Sequence, residues 1–137
     1  MDDLRSLLIE HEANKLFPYV DPVGKITIGV GRNLTDRGIT NVTSMQMLEE
    51  DIALCKMQLE HFSWYTSMDK VRQEVLIELC FNIGFHDLLQ FKTMISFLQE
   101  KDWELAADAM LASKWRQDVG VIRSSNMAKR LVTGSYS

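Results

Sequence analysis

The sequence predicts an α+β fold with a small sheet near the N-terminus and a larger helical part after it. Two strand-like runs, residues 17–20 and 25–30, are joined by the sequence Asp-Pro-Val-Gly, which has the chemistry of a tight turn. After residue 40 the apolar residues recur at helical spacing, and no further strand is indicated. Together these observations indicate one small hairpin or sheet followed by several helices.

The length of 137 residues is that of a single domain. Within this domain we expect a sheet lobe at about 13–40 and a helical lobe formed by 1–12 together with 41–137. A cleft between two such lobes is a natural substrate site, because ligands bind preferentially in concave surfaces.

The first helix is predicted over residues 3–12, where Leu4, Leu7 and Leu8 follow helical spacing. Glu12 is then the last residue of this helix. The carboxylate therefore lies where the backbone carbonyls of the helix leave a partial negative charge.

Thr27 lies on the polar face of the predicted hairpin. Ile26 and Ile28 point to one face of its second strand, so Thr27 points to the other. The turn of the same hairpin carries Asp21. One short segment therefore brings a carboxylate and a hydroxyl into the same part of the fold.

The rest of the chain is predicted to be helical, apart from a polar loop at 31–38. Thr40 is a suitable N-cap for a long helix, and Gly84 is predicted to end the next one. Trp64 and Tyr65 lie in the connection between these two helices. Three shorter helices are predicted at about 91–99, 103–115 and 124–132.

Cys55 and Cys80 both fall on the apolar stripes of predicted helices, which indicates a pair of buried free thiols in a reducing compartment. The first twelve residues are acidic with short apolar runs, unlike a secretory signal. No stretch reaches the roughly 20 apolar residues that a membrane-spanning helix needs. We therefore expect synthesis in the cytosol and no stable insertion into a membrane.

The net charge of −4 is unevenly distributed along the chain. Residues 113–137 contain five basic side chains against the single acid Asp118. A basic end on an acidic body favours a local contact with an anionic surface over general binding of nucleic acid. The basic side chains are those of Lys114, Arg116, Arg123, Lys129 and Arg130.

Metal, dinucleotide and nucleophile sites are not indicated. His11, His61 and His86 are isolated from one another and from any cysteine pair. Gly29 and Gly31 lack the third glycine of a dinucleotide-binding motif, and no serine or cysteine lies in a nucleophile motif. We therefore expect neither a metal nor a cofactor.

The carboxylates remain as candidates for catalysis. Hydrolysis of a glycosidic bond needs a protonated acid for the leaving oxygen and a carboxylate that activates water or stabilises positive charge. The helix dipole and partial burial would favour the protonated form of Glu12, whereas Asp21, in an open turn with backbone donors, would stay ionised. Thr27 would hold a water molecule. From the pattern alone, the alternative that both carboxylates merely occupy a helix end and a turn stays open.

One segment carries these residues in a distinctive order, LIEHEANKLFPYVDPVGKITIGVGRNLTDRGIT. Eight residues separate Glu12 from Asp21, and five separate Asp21 from Thr27. The segment resembles the catalytic segment of the phage-type lysozymes, the T-even phage lysozyme family (glycoside hydrolase family 24). Later stretches, CFNIGF, SKW and NMAKRLVTG, resemble helices of the same family, so the likeness runs over nearly the whole chain.

The resemblance implies a lysozyme-like fold without a cofactor and the activity of an endolysin. Such an enzyme hydrolyses the β-1,4 bond between N-acetylmuramic acid and N-acetylglucosamine in peptidoglycan, here with inversion. The resemblance implies Glu12 as the general acid, Asp21 as the second carboxylate and Thr27 as the hydroxyl that positions water. The family's substrate contacts fall on Gly31, Asn33 and Phe81, and for Phe81 a plain core position on its helix is an equal alternative.

Three positions depart from the family pattern. Arg32 stands where T-even members have a histidine after Gly-x-Gly. Ala13 stands where the family usually has glycine after the acid, and we expect it to tighten the helix end. Met127 stands where T-even members have an arginine beside the acid. Arg123 and Arg130 are then the candidates to balance the charge of Glu12.

The implied role is host lysis and phage release by a monomer that binds peptidoglycan glycan strands. From the host cytoplasm, such a protein would need a holin-type pore to reach the cell wall through the periplasm. Two alternatives remain. A lytic transglycosylase could use Glu12 alone and leave an anhydro product. A non-catalytic peptidoglycan-binding module would have no need of Glu12, Asp21 and Thr27 together.

Overall fold

The computed structural model describes residues 2–137 and has the predicted α+β architecture. All strands in this part of the chain precede residue 34, and everything after it is helix or connection. The elements in chain order are α1 (Asp2–Glu12), β1 (Lys15–Val20), β2 (Ile26–Gly29), β3 (Arg32–Asn33), α2 (Leu34–Arg37), α3 (Asn41–Leu59), α4 (Ser63–Thr66), α5 (Lys70–Ile83), α6 (Phe85–Leu88), α7 (Lys92–Gln99), α8 (Trp103–Ala112), α9 (Trp115–Val119) and α10 (Val121–Thr133).

The chain divides into two compact units, and the boundary falls within α3. Unit 1 ends at Met47 and contains α1, the sheet and α2. Unit 2 is Leu48–Ser137 and contains the remaining helices. The expected division of one domain into lobes at 13–40 and at 1–12 with 41–137 stays a prediction.

The sheet of unit 1 is antiparallel in the order β1-β2-β3. The predicted turn closes the first hairpin, since the amide of Asp21 donates to the carbonyl of Lys25 at 2.9 Å and the amide of Gly24 donates to the carbonyl of Asp21 at 3.0 Å. β2 is the central strand, so the residues of the predicted second strand occupy the most constrained position in the sheet.

The predicted polar loop at 31–38 is wrong in part, because β3 and α2 occupy most of it. Arg32 pairs with Ile28 across the sheet, and Gly31 between the two strands has φ +68°, which suits glycine. The side chain of Asn33 then accepts a hydrogen bond from the amide of Asp36 at 3.0 Å and caps α2. The turn at Gly31 and the cap by Asn33 therefore produce a short strand, β3, and a short helix, α2, within this polar stretch.

The first helix has nearly its predicted bounds and ends at Glu12. Its last turn is closed by Ala13, whose amide donates to the carbonyl of Ile9 at 2.8 Å. Ala13 has φ +64°, in the left-handed region. No residue of α1 is buried.

The long helix α3 begins as predicted. The hydroxyl of Thr40 accepts a hydrogen bond from the amide of Thr43 at 3.2 Å, and α3 runs for 19 residues from there. Gly84 ends α5 with φ +89°, also as predicted. Between residues 2 and 137, no helix is both long and apolar enough to cross a membrane.

The single helix predicted at 103–115 is wrong, because the chain breaks after Ala112 into α8 and α9. Ser113 adopts extended backbone angles, and its hydroxyl donates to the carbonyl of Met110 at 2.7 Å. A serine side chain that binds a free carbonyl competes with continuation of the helix. Trp115 then begins α9, and its indole NH donates to the side chain of Asn82 at 3.0 Å.

The core of unit 2 is apolar and close to fully buried. Cys55 and Cys80 belong to it as free cysteines, which confirms the prediction of buried thiols. Trp64 and Tyr65 are buried in the short helix α4, which lies in the connection between α3 and α5 as predicted. The side chains exposed by less than 2% include Leu59, Val75, Leu76, Leu79, Leu88, Met94, Leu98, Met110, Met127 and Leu131.

Candidate active site

Glu12 lies against Gly31 in unit 1. A Cβ atom built on Gly31 would be 2.8 Å from Oε2 of Glu12, which is closer than real Cβ contacts. The glycine therefore makes room for the carboxylate, and two predicted site residues 19 positions apart are brought together. The expected partial burial of Glu12 is wrong, because its side chain is exposed.

Asp21 is held in the turn by its own carboxylate. Oδ1 accepts hydrogen bonds from the amides of Val23 at 3.0 Å and Lys25 at 2.8 Å. Hydrogen bonds to an ionised acceptor are among the strong ones, so they fix the orientation of the side chain. Among residues 2–47 no protein donor binds Oδ2, so this oxygen has acceptor sites that the turn does not use.

Thr27 lies in the middle of the sheet. It pairs with Tyr19 on β1 and with Asn33 on β3, and residues opposite one another in a sheet share a face. Its side chain is buried, and its hydroxyl donates to the carbonyl of Lys25 at 3.0 Å. A hydroxyl has one donor and two acceptor sites, so this bond uses the donor of Thr27 and leaves its lone pairs as acceptor sites.

The side-chain amide of Asn33 forms hydrogen bonds within the protein. Besides capping α2, its Nδ2 donates to Oδ2 of Asp36 at 2.9 Å. Its predicted contact with substrate stays a prediction; the two bonds leave a second N–H and a second oxygen lone pair of the amide. Tyr19, which sequence reasoning did not single out, is a further side chain on the face of Thr27. The alternation of the strand was the signal that could have found it.

Phe81 belongs to α5 in unit 2, whereas the other five predicted site residues belong to unit 1. Its side chain is 44% exposed, which excludes a plain core position. It lines a cavity of about 450 Å³ together with apolar side chains of α3 and α5. These neighbours are Leu48, Ile52 and Ile77.

The two arginines expected as candidates to balance Glu12 both bind Glu78. Nε of Arg123 donates to Glu78 Oε2 at 2.9 Å, and Arg130 donates to the other oxygen. Burial tends to raise the pKa of Glu78, but the hydrogen bonds and charges of the two arginines outweigh it and leave the pKa below its ordinary value. Met127, at the position of the missing arginine, is fully buried in the core.

Sequence reasoning missed Glu78 although a signal was present. It is a lone charged residue inside the apolar run Val75-Leu76-Ile77-Glu78-Leu79-Cys80. A charge inside such a run needs a partner, because an unpaired charge is costly to desolvate. The partners lie 45 and 52 residues away on α10, which the sequence alone does not reveal.

Unit 1 thus carries an acid, a second carboxylate and a hydroxyl on one helix end and one hairpin. Side chains of these types can donate a proton to a leaving oxygen and can accept hydrogen bonds from a water molecule. In the part of the chain that the structure describes, no group of three or more histidine, cysteine or acidic side chains is arranged to hold a metal ion.

Comparison with known proteins gives a family match over almost the whole chain. A sequence model of the family described as Phage lysozyme matches residues 9–135. A protein of Dictyostelium discoideum named Probable T4-type lysozyme 1 is 24% identical over 167 residues, which cover 100% of this chain and 98% of that protein. Probable T4-type lysozyme 2 of the same organism is 23% identical over 145 residues, which cover 84% of this chain and 85% of that protein.

Proposed function

Because the chain belongs to the phage lysozyme family and is a lysozyme-type peptidoglycan hydrolase, we propose that it cleaves the β-1,4 bond between N-acetylmuramic acid and N-acetylglucosamine with inversion. One observation carries the proposal most directly. The carboxylate of Glu12 rests against Gly31, two residues beyond the strand that carries Thr27. The acid and the water-binding hydroxyl are therefore anchored to the same strand and turn.

In this mechanism Glu12 is the general acid. It donates its proton to the glycosidic oxygen as the bond to the anomeric carbon breaks. Its position at the C-terminal end of α1 supports this role, because the contact with Gly31 places the carboxylate beside the hairpin. Gly31 keeps the carboxylate in place without covering it.

Asp21 and Thr27 prepare the attacking water in the same mechanism. Oδ2 of Asp21 accepts one proton of the water, and the hydroxyl oxygen of Thr27 accepts a hydrogen bond from the other. The backbone bonds to Oδ1 and the bond from Thr27 to Lys25 support these roles, since they fix both acceptors before substrate binds. The oxygen of the water is then free to attack the anomeric carbon from the face opposite Glu12.

The test compares Glu12→Gln with Glu10→Gln on purified peptidoglycan. Glu10 is an exposed glutamate on the same helix, so its change removes the same charge without touching the proposed acid. We expect Glu12→Gln to lower the rate of hydrolysis at least about 10²-fold, because general acid catalysis contributes about 10²–10⁴-fold. Glu10→Gln should keep the parent rate, and both should keep the parent melting temperature.

Mass spectrometry of the muropeptides identifies the reaction in the same experiment. Hydrated reducing ends at N-acetylmuramic acid support hydrolysis of the proposed bond. Anhydro ends would make the protein a lytic transglycosylase instead. A rate for Glu12→Gln within about threefold of the parent, at an unchanged melting temperature, would place the acid elsewhere.

We also propose that the activity serves lysis of a bacterial host, with a holin-type pore giving access to the wall. The family description supports this role. Expression in the cytosol of a Gram-negative bacterium should give little lysis until the inner membrane is permeabilised, after which lysis should be rapid. Rapid lysis with an intact inner membrane would contradict the need for a pore.

A further inference from the structure

A polar cavity in unit 2 is formed by the end of α3, by α4 and by α5. It has a volume of about 490 Å³ and is lined by Lys56, Glu60, Tyr65, Thr66 and Gln73. Cavities of roughly 300–1,000 Å³ are typical of small-molecule sites. All five residues belong to unit 2, and the proposed catalytic mechanism uses none of them.

Tyr65 is a buried polar side chain in the wall of this cavity. The residue is only 4% exposed, yet its hydroxyl forms no hydrogen bond with a group of residues 2–137. In the same part of the chain, every side-chain nitrogen or oxygen that is closed off from solvent has a partner. The hydroxyl is therefore in reach of solvent, and the cavity is where a ligand can bind it.

The hydroxyl of Tyr65 is a hydrogen-bond donor at neutral pH. Burial raises its pKa, and the charges of Glu60 and Glu74 act in the same direction. The phenol therefore stays protonated. A neutral phenol offers one donor and also accepts, so it can bind a carbonyl oxygen of a ligand.

Gln73 joins α5 to α4 beside Tyr65. Its Nε2 donates to the backbone carbonyl of Tyr65 at 3.0 Å, which holds the two residues in fixed positions. This bond uses one N–H of the amide and leaves the lone pairs of the side-chain oxygen as acceptor sites. A donor from Tyr65 and an acceptor from Gln73 therefore line the same cavity.

Lys56 and Glu60 add one charge of each sign to this cavity. They are four residues apart, and the amide of Glu60 donates to the carbonyl of Lys56 at 2.9 Å, so the helical pattern continues to Glu60. Both residues are exposed. Neither takes part in an ion pair within residues 2–137. Both charges are therefore available to a ligand.

We propose that this cavity binds a short peptide with free ends, of about the size of a dipeptide. Glu60 accepts hydrogen bonds from its ammonium group, and Lys56 donates to its carboxylate. The peptide bond between the two ends presents a carbonyl to the hydroxyl of Tyr65 and an N–H to the side-chain oxygen of Gln73. Each polar group of the cavity wall named here then has a complementary group on the ligand.

The test of ligand class is an NMR titration of the isotopically labelled protein with alanylalanine. We expect saturable shifts in the amide signals of the residues that line the cavity. N-acetyl-alanylalanine lacks the ammonium charge, and alanylalanine amide lacks the carboxylate. Each should bind about tenfold more weakly or less, because a hydrogen bond between charged groups is lost.

Variants locate the binding site. Tyr65→Phe removes only a hydroxyl that has no partner among residues 2–137, so it should keep the melting temperature and weaken binding about three- to tenfold. Lys56→Met should weaken binding about tenfold. Lys92→Met is the matched control, since Lys92 is an exposed lysine on α7 that does not line the cavity, and it should bind like the parent.

Three results would overturn the proposal. The dipeptide could cause no saturable shifts, both blocked peptides could bind as tightly as the free dipeptide, or Tyr65→Phe and Lys56→Met could both keep the parent affinity. Binding is measured without peptidoglycan and does not depend on catalysis. Its failure is therefore distinct from a failure of the proposed function.

Discussion

At the scale of one residue, Ala13 departs from the family pattern, and this departure has a cost in backbone free energy. The residue after the acid was expected to tighten the helix end. Instead it adopts φ +64° and ends α1 in the left-handed conformation that glycine normally supplies at this position. For a residue other than glycine, this conformation costs roughly 1–2 kcal/mol of free energy. The preference for glycine here is therefore explained by the backbone.

Ala13→Gly is expected to raise the free energy of unfolding by about 1 kcal/mol, because it removes this strain. Urea denaturation followed by circular dichroism measures the change. Ala53→Gly is the matched control, since Ala53 is exposed in the interior of α3, where glycine should cost about 1 kcal/mol. Destabilisation by both changes would contradict the assigned strain.

Comparison of Gly31 with Gly29 distinguishes the effect of the contact with Glu12 from the effect of the backbone conformation. Both have positive φ, +68° and +67°, so alanine strains the backbone at either position. Only at Gly31 does the added Cβ collide with Glu12, whereas nothing lies within 4 Å at Gly29. The two glycines therefore form a matched pair.

We expect Gly31→Ala to lower peptidoglycan hydrolysis by roughly 10–100-fold, because a displacement of about 1 Å in a catalytic group can cost that much. Gly29→Ala should keep most of the activity while losing about as much stability. Hydrolysis rates and melting temperatures of both variants provide the comparison. Equal losses of activity would mean that the contact with Glu12 has no catalytic role.

At the scale of the elements, Glu78 joins α5 to α10 through Arg123 and Arg130. Arg130 is buried, so its charge depends on this partner. The pKa of Glu78 in the folded protein lies below its ordinary value of 4.5. Its contribution to stability is therefore fully present above that value and is lost as the pH falls through the lowered pKa.

Glu78→Gln is expected to lower the free energy of unfolding by about 2 kcal/mol at neutral pH, because it removes charged hydrogen bonds. Below pH 4.5 the difference from the parent should shrink, since the parent also loses the charge. Denaturation at a series of pH values measures both effects. Glu49→Gln is the control, because no ion pair of Glu49 is present in residues 2–137. A pH-independent difference for Glu78→Gln would contradict the ion pair.

Elements with strong local signals could be predicted from the sequence. Thr40 and Gly84 mark a helix start and a helix end by side-chain capping and by positive φ, and the structure has both. β3 and α2 could not be predicted, because two and four residues are too few for a periodic pattern. The break at Ser113 depends on one hydroxyl, which competes with an otherwise helical sequence.

At the scale of the whole molecule, fewer basic side chains of the segment at 113–137 are available to bind an anionic surface than its composition indicates. Arg123 and Arg130 are engaged by Glu78, whereas the side chain of Lys129 is exposed and that of Arg116 is partly exposed. A net charge of −4 gives the protein no general attraction to an anionic wall. Any electrostatic attraction must therefore come from local groups of this kind.

Arg116→Glu combined with Lys129→Glu is expected to weaken binding to anionic peptidoglycan at low ionic strength. The difference from the parent should shrink as salt rises, because the interactions are exposed and screened. Lys92→Glu combined with Lys101→Glu introduces the same change in charge outside the segment and should bind more like the parent. Sedimentation with peptidoglycan at several salt concentrations compares them. Equal weakening by both pairs would show that only net charge matters.

The sequence selects the candidate residues of the site, but it does not show the contacts that these residues make. Glu12, Asp21 and Thr27 have a distinctive order in the sequence, which selects them as candidates. The contact between Glu12 and Gly31 depends on how α1 meets the sheet, and the use of Asn33 as a cap depends on a helix that the sequence did not reveal.

The stereochemistry of hydrolysis tests the proposed roles of Glu12, Asp21 and Thr27 most directly. Proton NMR of the first product formed from a defined peptidoglycan oligomer distinguishes the anomers before mutarotation. Attack by a water held by Asp21 and Thr27, opposite Glu12, predicts the α-anomer. A first product in the β form would contradict this account, because it would make Asp21 a nucleophile in a retaining mechanism.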